Sequence, residues 1–456
     1  MNKRLKLIKG NIEGFGILKT IIIISFYAFI YLMALINHKK LSLESLLGLG
    51  LYLLGPFLLF ILYLLFLKNK NLKEQNTYLI ILIMVLTIIL SKLFMVFSPY
   101  IIPQATGGIL LALLLGPQLA LVSNIYLIWT IGIIFDLDLA LIFIGIIANS
   151  FGILLIYKEK QRSKILLDGI FIGLIGSILY ISIHFLETRD NQYLLINIIY
   201  IISGGFLSGI ISIGTIPLWE AVFKVLTPFK LLELINPDNK LLKDLSLQAR
   251  GTYHHSLLVG NLCEAAAENI GANKLLAKAG AYYHDIGKLK RPLYFKENQF
   301  GIENPHDHLE PIQSLEIILA HRTDGLKMGK DYKLPKEIID IIDQHHGKTL
   351  MAYFYHKAKE SNEMVPMDKF RYSGSKPQTK EAALVMLADS VEAAVRSLRE
   401  FNDENIQEMV SKVIKSKLED EQLDEAPISS QDLRIIKEVF VKEIRGIYHN
   451  RIRYPQ

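Results

Sequence analysis

Histidine and aspartate residues cluster in one region of this 456-residue chain, in a pattern typical of metal binding. Nine of the twelve histidines fall between His254 and His356. Five segments carry the pattern: TYHHS (252–256), HDIGK (284–288), His321, HHG (345–347) and ADS (388–390). Imidazoles and carboxylates without thiolates suit divalent Fe, Mn, Co or Zn, and they argue against a structural cysteine–zinc site.

The adjacent pair His284 and Asp285 has a geometric consequence if it lies on a helix. Successive side chains point about 100° apart around a helix axis. One helix end can therefore offer a terminal imidazole to one metal and a bridging carboxylate to two.

These segments resemble the HD superfamily of metal-dependent phosphohydrolases, and more narrowly the cytoplasmic domain of the seven-transmembrane HD family. Seven strings in chain order carry the resemblance: GTYHHS, YYHDIGKLKRP, FKENQ, ENPHDH, IIDQHHG, FRYSGSKPQTKEAA and ADSVEAAVRS. Members of that family are known as cyclic di-AMP phosphodiesterases. The resemblance therefore implies hydrolysis of cyclic di-AMP to linear 5′-pApA, which would lower the level of a second messenger.

The resemblance also implies seven metal ligands in two groups that share one carboxylate. By position, one metal would be held by His255, His284, Asp285 and Asp389, and the second by Asp285, His321, His345 and His346. Every ligand position of the family pattern is filled, so we expect two divalent transition-metal ions, Fe or Mn. Such a pair can activate a water for attack on phosphorus and offset the charge that develops there.

Lys288, three residues after Asp285, is the first candidate for contacting the phosphate. Asp285 and Lys288 are thus the expected catalytic residues. Further candidates for binding the phosphates or nucleobases are Arg291, Lys376 and Thr379. The loop that contains His306 and His308 either lines the substrate entrance or is plain surface.

The composition of the whole chain indicates that a membrane region precedes the part with this site. The chain is 51% hydrophobic and 21% charged, and of its 44 Asp and Glu residues ten lie within residues 1–222. A membrane-spanning helix needs about 20 mostly apolar residues. We therefore predict eight helices, at 18–37, 46–67, 77–97, 101–115, 117–135, 138–156, 165–185 and 196–222.

The basic residues predict the orientation of these helices. Lys and Arg concentrate at the N-terminus, in Lys68–Lys73, in Lys158–Lys164 and in Lys224–Lys230, and the positive-inside rule places all four in the cytoplasm. We expect a multi-pass protein of the cell membrane with its catalytic domain in the cytoplasm. The net charge of +6 fits these flanking lysines better than a nucleic-acid-binding surface, so no nucleic-acid partner is expected.

Helical spacing of leucines and few alternating β-branched runs predict an all-α chain, a polytopic membrane bundle followed by an HD-type domain. The predicted parts are a cytoplasmic N-terminal segment (1–17), a transmembrane region (18–222), linker helices (223–250) and an HD phosphohydrolase domain (251–456). Helices of the last part are expected at Ser256–Ile270, Leu275–Asp285, Pro311–Arg322, Pro335–His345, Thr379–Glu400, Ile406–Leu418 and Ser430–Tyr448.

One departure from the family concerns the loop Asn37–Glu44. The family normally carries a large extracellular domain at this position, so the resemblance does not extend to external sensing through such a domain. Three other functions stay open: an HD phosphohydrolase for cyclic di-GMP or a guanosine alarmone, a nucleotide-sensing receptor without turnover, and a transporter. The oligomeric state is also open, a homo-oligomer included.

Overall fold

The computed structural model describes residues 17–38, 42–66, 74–157, 159, 161–187, 191–299, 301, 303–361 and 366–448. The chain divides into two compact units, Met1–Phe229 and Lys230–Gln456. The predicted N-terminal segment 1–17, apart from Ile17, lies outside the described residues. So do the lysine cluster Lys68–Lys73 and residues 39–41 of the predicted loop Asn37–Glu44.

The described part of the first unit contains eight α-helices built from apolar runs. They are α1 (Ile17–Asn37), α2 (Leu43–Phe66), α3 (Glu74–Met95), α4 (Ala105–Leu115), α5 (Pro117–Phe135), α6 (Leu139–Ile156), α7 (Arg162–Leu186) and α8 (Leu194–Phe223). Seven of them are long and apolar enough to cross a membrane. Helices suit this environment because every internal backbone hydrogen bond is made within the segment.

The helix α4 differs from the other seven in length. Its 11 residues rise by roughly 16 Å, about half of a hydrocarbon layer. A short span over 101–115 was expected, but the helix begins only after Pro103, since a proline disfavours helix at the residue before it. Residues 105–114 are all buried, and α4 packs against α5, where Gly107 lies close to Leu127. Protein surrounds this short helix.

The described part of the second unit is helical as well. Its helices are α9 (Pro228–Leu234, which crosses the division), α10 (Lys240–Gln248), α11 (Arg250–Asn269), α12 (Lys274–Tyr283), α13 (Pro311–Asp331), α14 (Lys336–Gln344), α15 (Ala352–Ser361), α16 (Lys380–Arg396), α17 (Asp403–Glu419) and α18 (Ser430–Tyr448). Within the described ranges the only β feature is an isolated bridge between Leu350 and Arg371. The predicted all-α fold is thereby confirmed.

One helix of the second unit was not predicted from the sequence. The helix α15 lies in a stretch where none was expected between His345 and Thr379. Phe354 and Ala358, one turn apart, pack with Leu315 and Phe370 in a small cluster. Its stability therefore depends on contacts distant in the chain, which local periodicity does not reveal.

The helix α16 forms the centre of the second unit. All residues from Ala382 to Asp389 are buried, mostly in a core shared with α11, α12, α17 and α18. Burying one Leu or Val side chain stabilises a fold by about 1.5–3 kcal/mol. This helix therefore fixes Asp389 on a rigid element.

A close approach of two backbones places the HDIGK segment. A Cβ atom on Gly287 would lie 1.8 Å from the carbonyl oxygen of His321 on α13 and 2.5 Å from the amide nitrogen of Gly325. Only glycine allows this contact without a backbone shift. The residues after α12 can therefore pack directly on α13, next to His321.

Candidate metal centre

The seven predicted ligands come together in two groups of four that share Asp285. One group contains His255, His284, Asp285 and Asp389, and the other contains Asp285, His321, His345 and His346. In each group one nitrogen or oxygen atom per residue lies within 4.8 Å of the others. The ligands come from α11, the ends of α12 and α14, α13 and α16. Residues up to 134 positions apart thus converge on one centre.

Three of the histidines are oriented by the same local device. The Nδ1 atoms of His284, His321 and His345 lie 2.6, 2.5 and 2.8 Å from the carbonyl oxygens three residues earlier. Because each Nδ1–H donates to a carbonyl, each Nε2 is left as the atom available to a metal. The Nε2 atoms of His321 and His345 lie 3.3 Å apart.

The two carboxylate oxygens of Asp285 face different histidines. Its Oδ2 lies 3.2 Å from Nε2 of His284, whereas its Oδ1 lies 3.5 Å from Nε2 of His321 and 3.8 Å from Nε2 of His345. In this position Asp285 would be shared by two cations. His346 belongs to the second group but also lies near the first, since its Nδ1 is 3.6 Å from Oδ2 of Asp389.

Two polar atoms of this centre show that the residues fit a metal. Nε2 of His284 and Oδ1 of Asp285 are buried and have no hydrogen-bond partner in the described part of the chain. An unsatisfied buried polar atom costs about 1–3 kcal/mol. A divalent cation would satisfy both atoms, and the nitrogen and oxygen donors suit Fe, Mn, Co or Zn.

Burial and charge set the protonation states of the ligands. Burial, helped by the charge of His284, lowers the pKa of His345 to about 3. Burial also lowers the pKa of His321 and of His346. These three imidazoles are therefore neutral near pH 7, which is the form that coordinates a metal.

The acidic ligands and His284 are shifted toward their charged forms. Burial opposes ionisation of Asp285, but the charges of Lys288 and His284 outweigh it and hold the pKa of that carboxyl well below its usual range. Burial likewise opposes ionisation of Asp389, but a hydrogen bond from His255 and the charge of His284 hold its pKa well below the usual range. Burial alone would lower the pKa of His284, yet Asp285 raises it to about 10. A cation at His284 must therefore displace a proton.

Lys288 is the predicted substrate residue that contacts the ligands directly. Its Nζ lies 2.7 Å from Oδ2 of Asp285 and 2.7 Å from Oε1 of Glu297. Glu297 also accepts a hydrogen bond of 3.2 Å from Oγ1 of Thr252. The lysine is thus held beside the shared carboxylate by a second carboxylate.

The other predicted substrate residues make contacts away from the ligands. The Arg291 guanidinium lies 2.5 Å from the carboxylate of Asp324. The Thr379 hydroxyl accepts from the amide of Ala382 and caps α16, about 15 Å along that helix from Asp389. The Lys376 carbonyl accepts from the side chain of Gln378. Their contacts with substrate stay predictions.

The histidines outside the ligand set lie elsewhere. Nε2 of His306 is 2.9 Å from the carbonyl oxygen of Tyr294. His308 is exposed and pairs with Glu303 at 3.2 Å. The role of this loop, as substrate entrance or as plain surface, stays a prediction.

Two functional candidates were missed from the sequence. Glu392 lies 2.6 Å from Nδ1 of His255, and it is three residues after Asp389, so helical spacing alone could have indicated it. The Tyr372 ring stacks on His346 with centroids 4.2 Å apart. No spacing rule connects these two residues.

Comparison with known families places both parts of the chain. Residues 43–227 match the family described as a 7TM receptor with intracellular HD hydrolase, and residues 252–394 match the HD domain. Residues 43–227 contain the seven helices α2–α8, so the short α4 is counted among them. Together with the seven helices of spanning length, this match identifies a multi-pass membrane protein.

Curated relatives cover nearly the whole chain. It is 39% identical over 447 residues to the cyclic-di-AMP phosphodiesterase PgpH of Bacillus subtilis (strain 168), which is 94% of this chain and 63% of that protein. It is 39% identical over 448 residues to PgpH of Listeria monocytogenes serotype 1/2a (strain 10403S), 97% of this chain and 58% of that protein. The chain thus spans about three fifths of the length of these relatives.

A solved structure can be compared with the second unit. The crystal structure of the L. monocytogenes PgpH HD domain in complex with cyclic di-AMP is 51% identical, covers 47% of this chain and 100% of its own, and gives a TM-score of 0.46. The two family matches and the two curated relatives decide the assignment. The chain belongs to the family of 7TM receptors with an intracellular HD hydrolase.

Proposed function

We propose that this chain is a membrane-anchored, metal-dependent phosphodiesterase that hydrolyses cyclic di-AMP to linear 5′-pApA. The observation that carries the proposal is the sharing of Asp285 by two complete ligand groups, with one oxygen facing each. The substrate is supported by the relatives named cyclic-di-AMP phosphodiesterase. Hydrolysis would lower the level of this second messenger in the cell.

The metals of the proposal are two divalent transition-metal ions, Fe or Mn. His255, His284 and Asp389 would hold one, His321, His345 and His346 the other, and Asp285 both. When bound, such ions supply Lewis-acid chemistry, lowering the pKa of a water and offsetting phosphate charge.

The chain's own residues then have separate tasks. Asp285 stays ionised and keeps the two ligand groups in register. Lys288 lies within ion-pair distance of Asp285 and is held there by Glu297, so its ammonium is placed to contact a phosphate oxygen. Arg291, Lys376 and Thr379 complete the proposed set of substrate contacts.

The catalytic unit is proposed to lie in the cytoplasm. The basic segment Lys224–Lys230 precedes it directly, and the positive-inside rule favours the cytoplasmic side for such a segment. The proposed partners are the cyclic dinucleotide and the lipid bilayer. A homo-oligomer is compatible with this proposal.

A substrate panel tests the proposal. The purified full chain, loaded with Mn²⁺ or Fe²⁺, is incubated with cyclic di-AMP, cyclic di-GMP or guanosine tetraphosphate, and products are separated by chromatography. We expect loss of cyclic di-AMP and appearance of pApA at the highest rate. Loss of a guanine nucleotide while cyclic di-AMP stays intact would replace the proposed substrate. Binding of cyclic di-AMP without any product would favour a sensor.

A further inference from the structure

Tyr372 lies against two of the metal ligands without being one. Its ring centroid is 4.2 Å from that of His346, nearly parallel at 28°, and 6.0 Å from that of His321, at 79°. The residue is only 7% exposed. One ring face is therefore covered by His346, and little of the ring is open to solvent.

The backbone holds this tyrosine in place. The amide of Tyr372 donates to the carbonyl of Thr349 at 3.1 Å, and the amide of Gly374 donates to the carbonyl of Gly347 at 3.0 Å. The amide of Met351 donates to the carbonyl of Phe370 at 2.8 Å. These three bonds tie the loop to the segment that directly follows His346. The position of Tyr372 is thus set by the same segment that sets the ligand.

The hydroxyl of Tyr372 contributes no hydrogen bond to the described part of the fold. Within the described residues it makes no hydrogen bond, whereas Tyr283 in the same unit donates to the carbonyl of Leu234 at 2.8 Å. The hydroxyl interacts electrostatically with Lys288 and with Asp389 and Asp285, two acidic members of the ligand groups. The hydroxyl oxygen is not among the fully buried unpaired polar atoms of the described residues, so it is open to a hydrogen bond with a bound ligand.

We propose that Tyr372 is a further catalytic residue, whose hydroxyl donates a hydrogen bond to a non-bridging oxygen of the scissile phosphodiester. This rests on the proposed function. The bond strengthens as negative charge builds on that oxygen, so it stabilises the transition state more than the bound substrate. Stacking against a nucleobase is disfavoured because the ring is buried against His346.

The reaction balances without a proton from Tyr372. The oxygen of water forms a new bond to phosphorus, and the bond from phosphorus to the 3′ oxygen breaks. One proton of the water ends on the 3′ oxygen, the other goes to solvent, and the phenol keeps its own. The products are a 3′-hydroxyl and a 5′-phosphate, as in linear pApA.

The variant Tyr372→Phe removes the hydroxyl and keeps the ring. It is compared in the full-length, metal-loaded protein with Tyr355→Phe, a control on α15 whose ring packs 5.7 Å from that of Phe370. Two substrates are used, cyclic di-AMP and bis(p-nitrophenyl) phosphate, and bound metal is measured by mass spectrometry. For Tyr372→Phe we expect kcat to fall about 100-fold on both substrates, with KM and metal content unchanged. The control should stay within about twofold of wild type, since it keeps every contact of the centre.

Two results would overturn the role of Tyr372. One is a kcat for Tyr372→Phe within twofold of wild type on both substrates. The other is loss of bound metal in that variant, which would make the tyrosine a support for His346. If wild type cleaves bis(p-nitrophenyl) phosphate but not cyclic di-AMP, the proposed function fails. The role of Tyr372 is then tested by the kcat of Tyr372→Phe on bis(p-nitrophenyl) phosphate alone.

Discussion

Oε2 of Glu392 lies 2.6 Å from Nδ1 of His255, whose Nε2 lies 3.1 Å from Oδ1 of Asp389. His255 is thus oriented by a carboxylate, whereas His284, His321 and His345 use backbone carbonyls. Arg396 in turn pairs with Glu392. A carboxylate behind a metal-binding imidazole fixes its tautomer and raises its basicity.

Replacement of Glu392 should therefore weaken metal binding. We expect about a 10-fold loss of Mn²⁺ affinity for Glu392→Gln and about a 100-fold loss for Glu392→Ala, by competition with a fluorescent chelator. The exposed Glu408→Gln on α17 is the matched control and should bind like wild type. Unchanged affinity in both Glu392 variants would contradict the role given to this carboxylate.

The close packing at Gly287 predicts a large effect from one methyl group. Gly287→Ala would place a Cβ 1.8 Å from the carbonyl oxygen of His321, and neither backbone can yield without moving a ligand. Overpacking of this kind costs about 1–3 kcal/mol, so the melting temperature should fall and metal should be lost. In α18, Gly446→Ala meets nothing within 4 Å and should be neutral or stabilising by about 0.5–1 kcal/mol. Equal melting temperatures for the two variants would show that the contact is not needed.

Metal affinity should rise with pH. Asp285 raises the pKa of His284 to about 10, so below that pH a proton must leave before a cation binds. His345, with a pKa of about 3, is already neutral and adds no such dependence above pH 5. Between pH 6 and 8 we expect the apparent Kd for Mn²⁺ to fall by about 100-fold, after correction for the chelator. A pH-independent Kd over this range would contradict the assignment of His284 as a ligand.

The grouping of the candidate metal ligands could be predicted because their residue types and order along the chain are distinctive. The pair His284 and Asp285 has a fixed angular relation on a helix, and the structure places that pair at the end of α12. Glu392 could have been predicted as well, since it lies one turn beyond Asp389 on the same helix. The helices of the first unit could also be predicted, because long apolar runs are typical of membrane-spanning helices.

Other features depend on contacts between segments distant in the chain. The stacking of Tyr372 on His346 requires three backbone hydrogen bonds between two loops, and no periodic pattern encodes them. The short α4 begins after Pro103 and is buried from Ala105 to Leu114 by other helices, whereas hydropathy alone suggested a short span over 101–115. In both cases tertiary packing decides what local sequence leaves open.

In the proposed function, Asp285 unites two ligand groups into one hydrolytic centre. The most direct measurement is the rate of pApA formation from cyclic di-AMP by the full-length, Mn²⁺-loaded chain and by its Asp285→Ala variant. We predict steady product formation by wild type and at least a 1,000-fold lower rate for the variant, about 4 kcal/mol of lost transition-state stabilisation. A variant that cleaves cyclic di-AMP at the wild-type rate, or a metal-loaded wild type that leaves it intact, would contradict the claim.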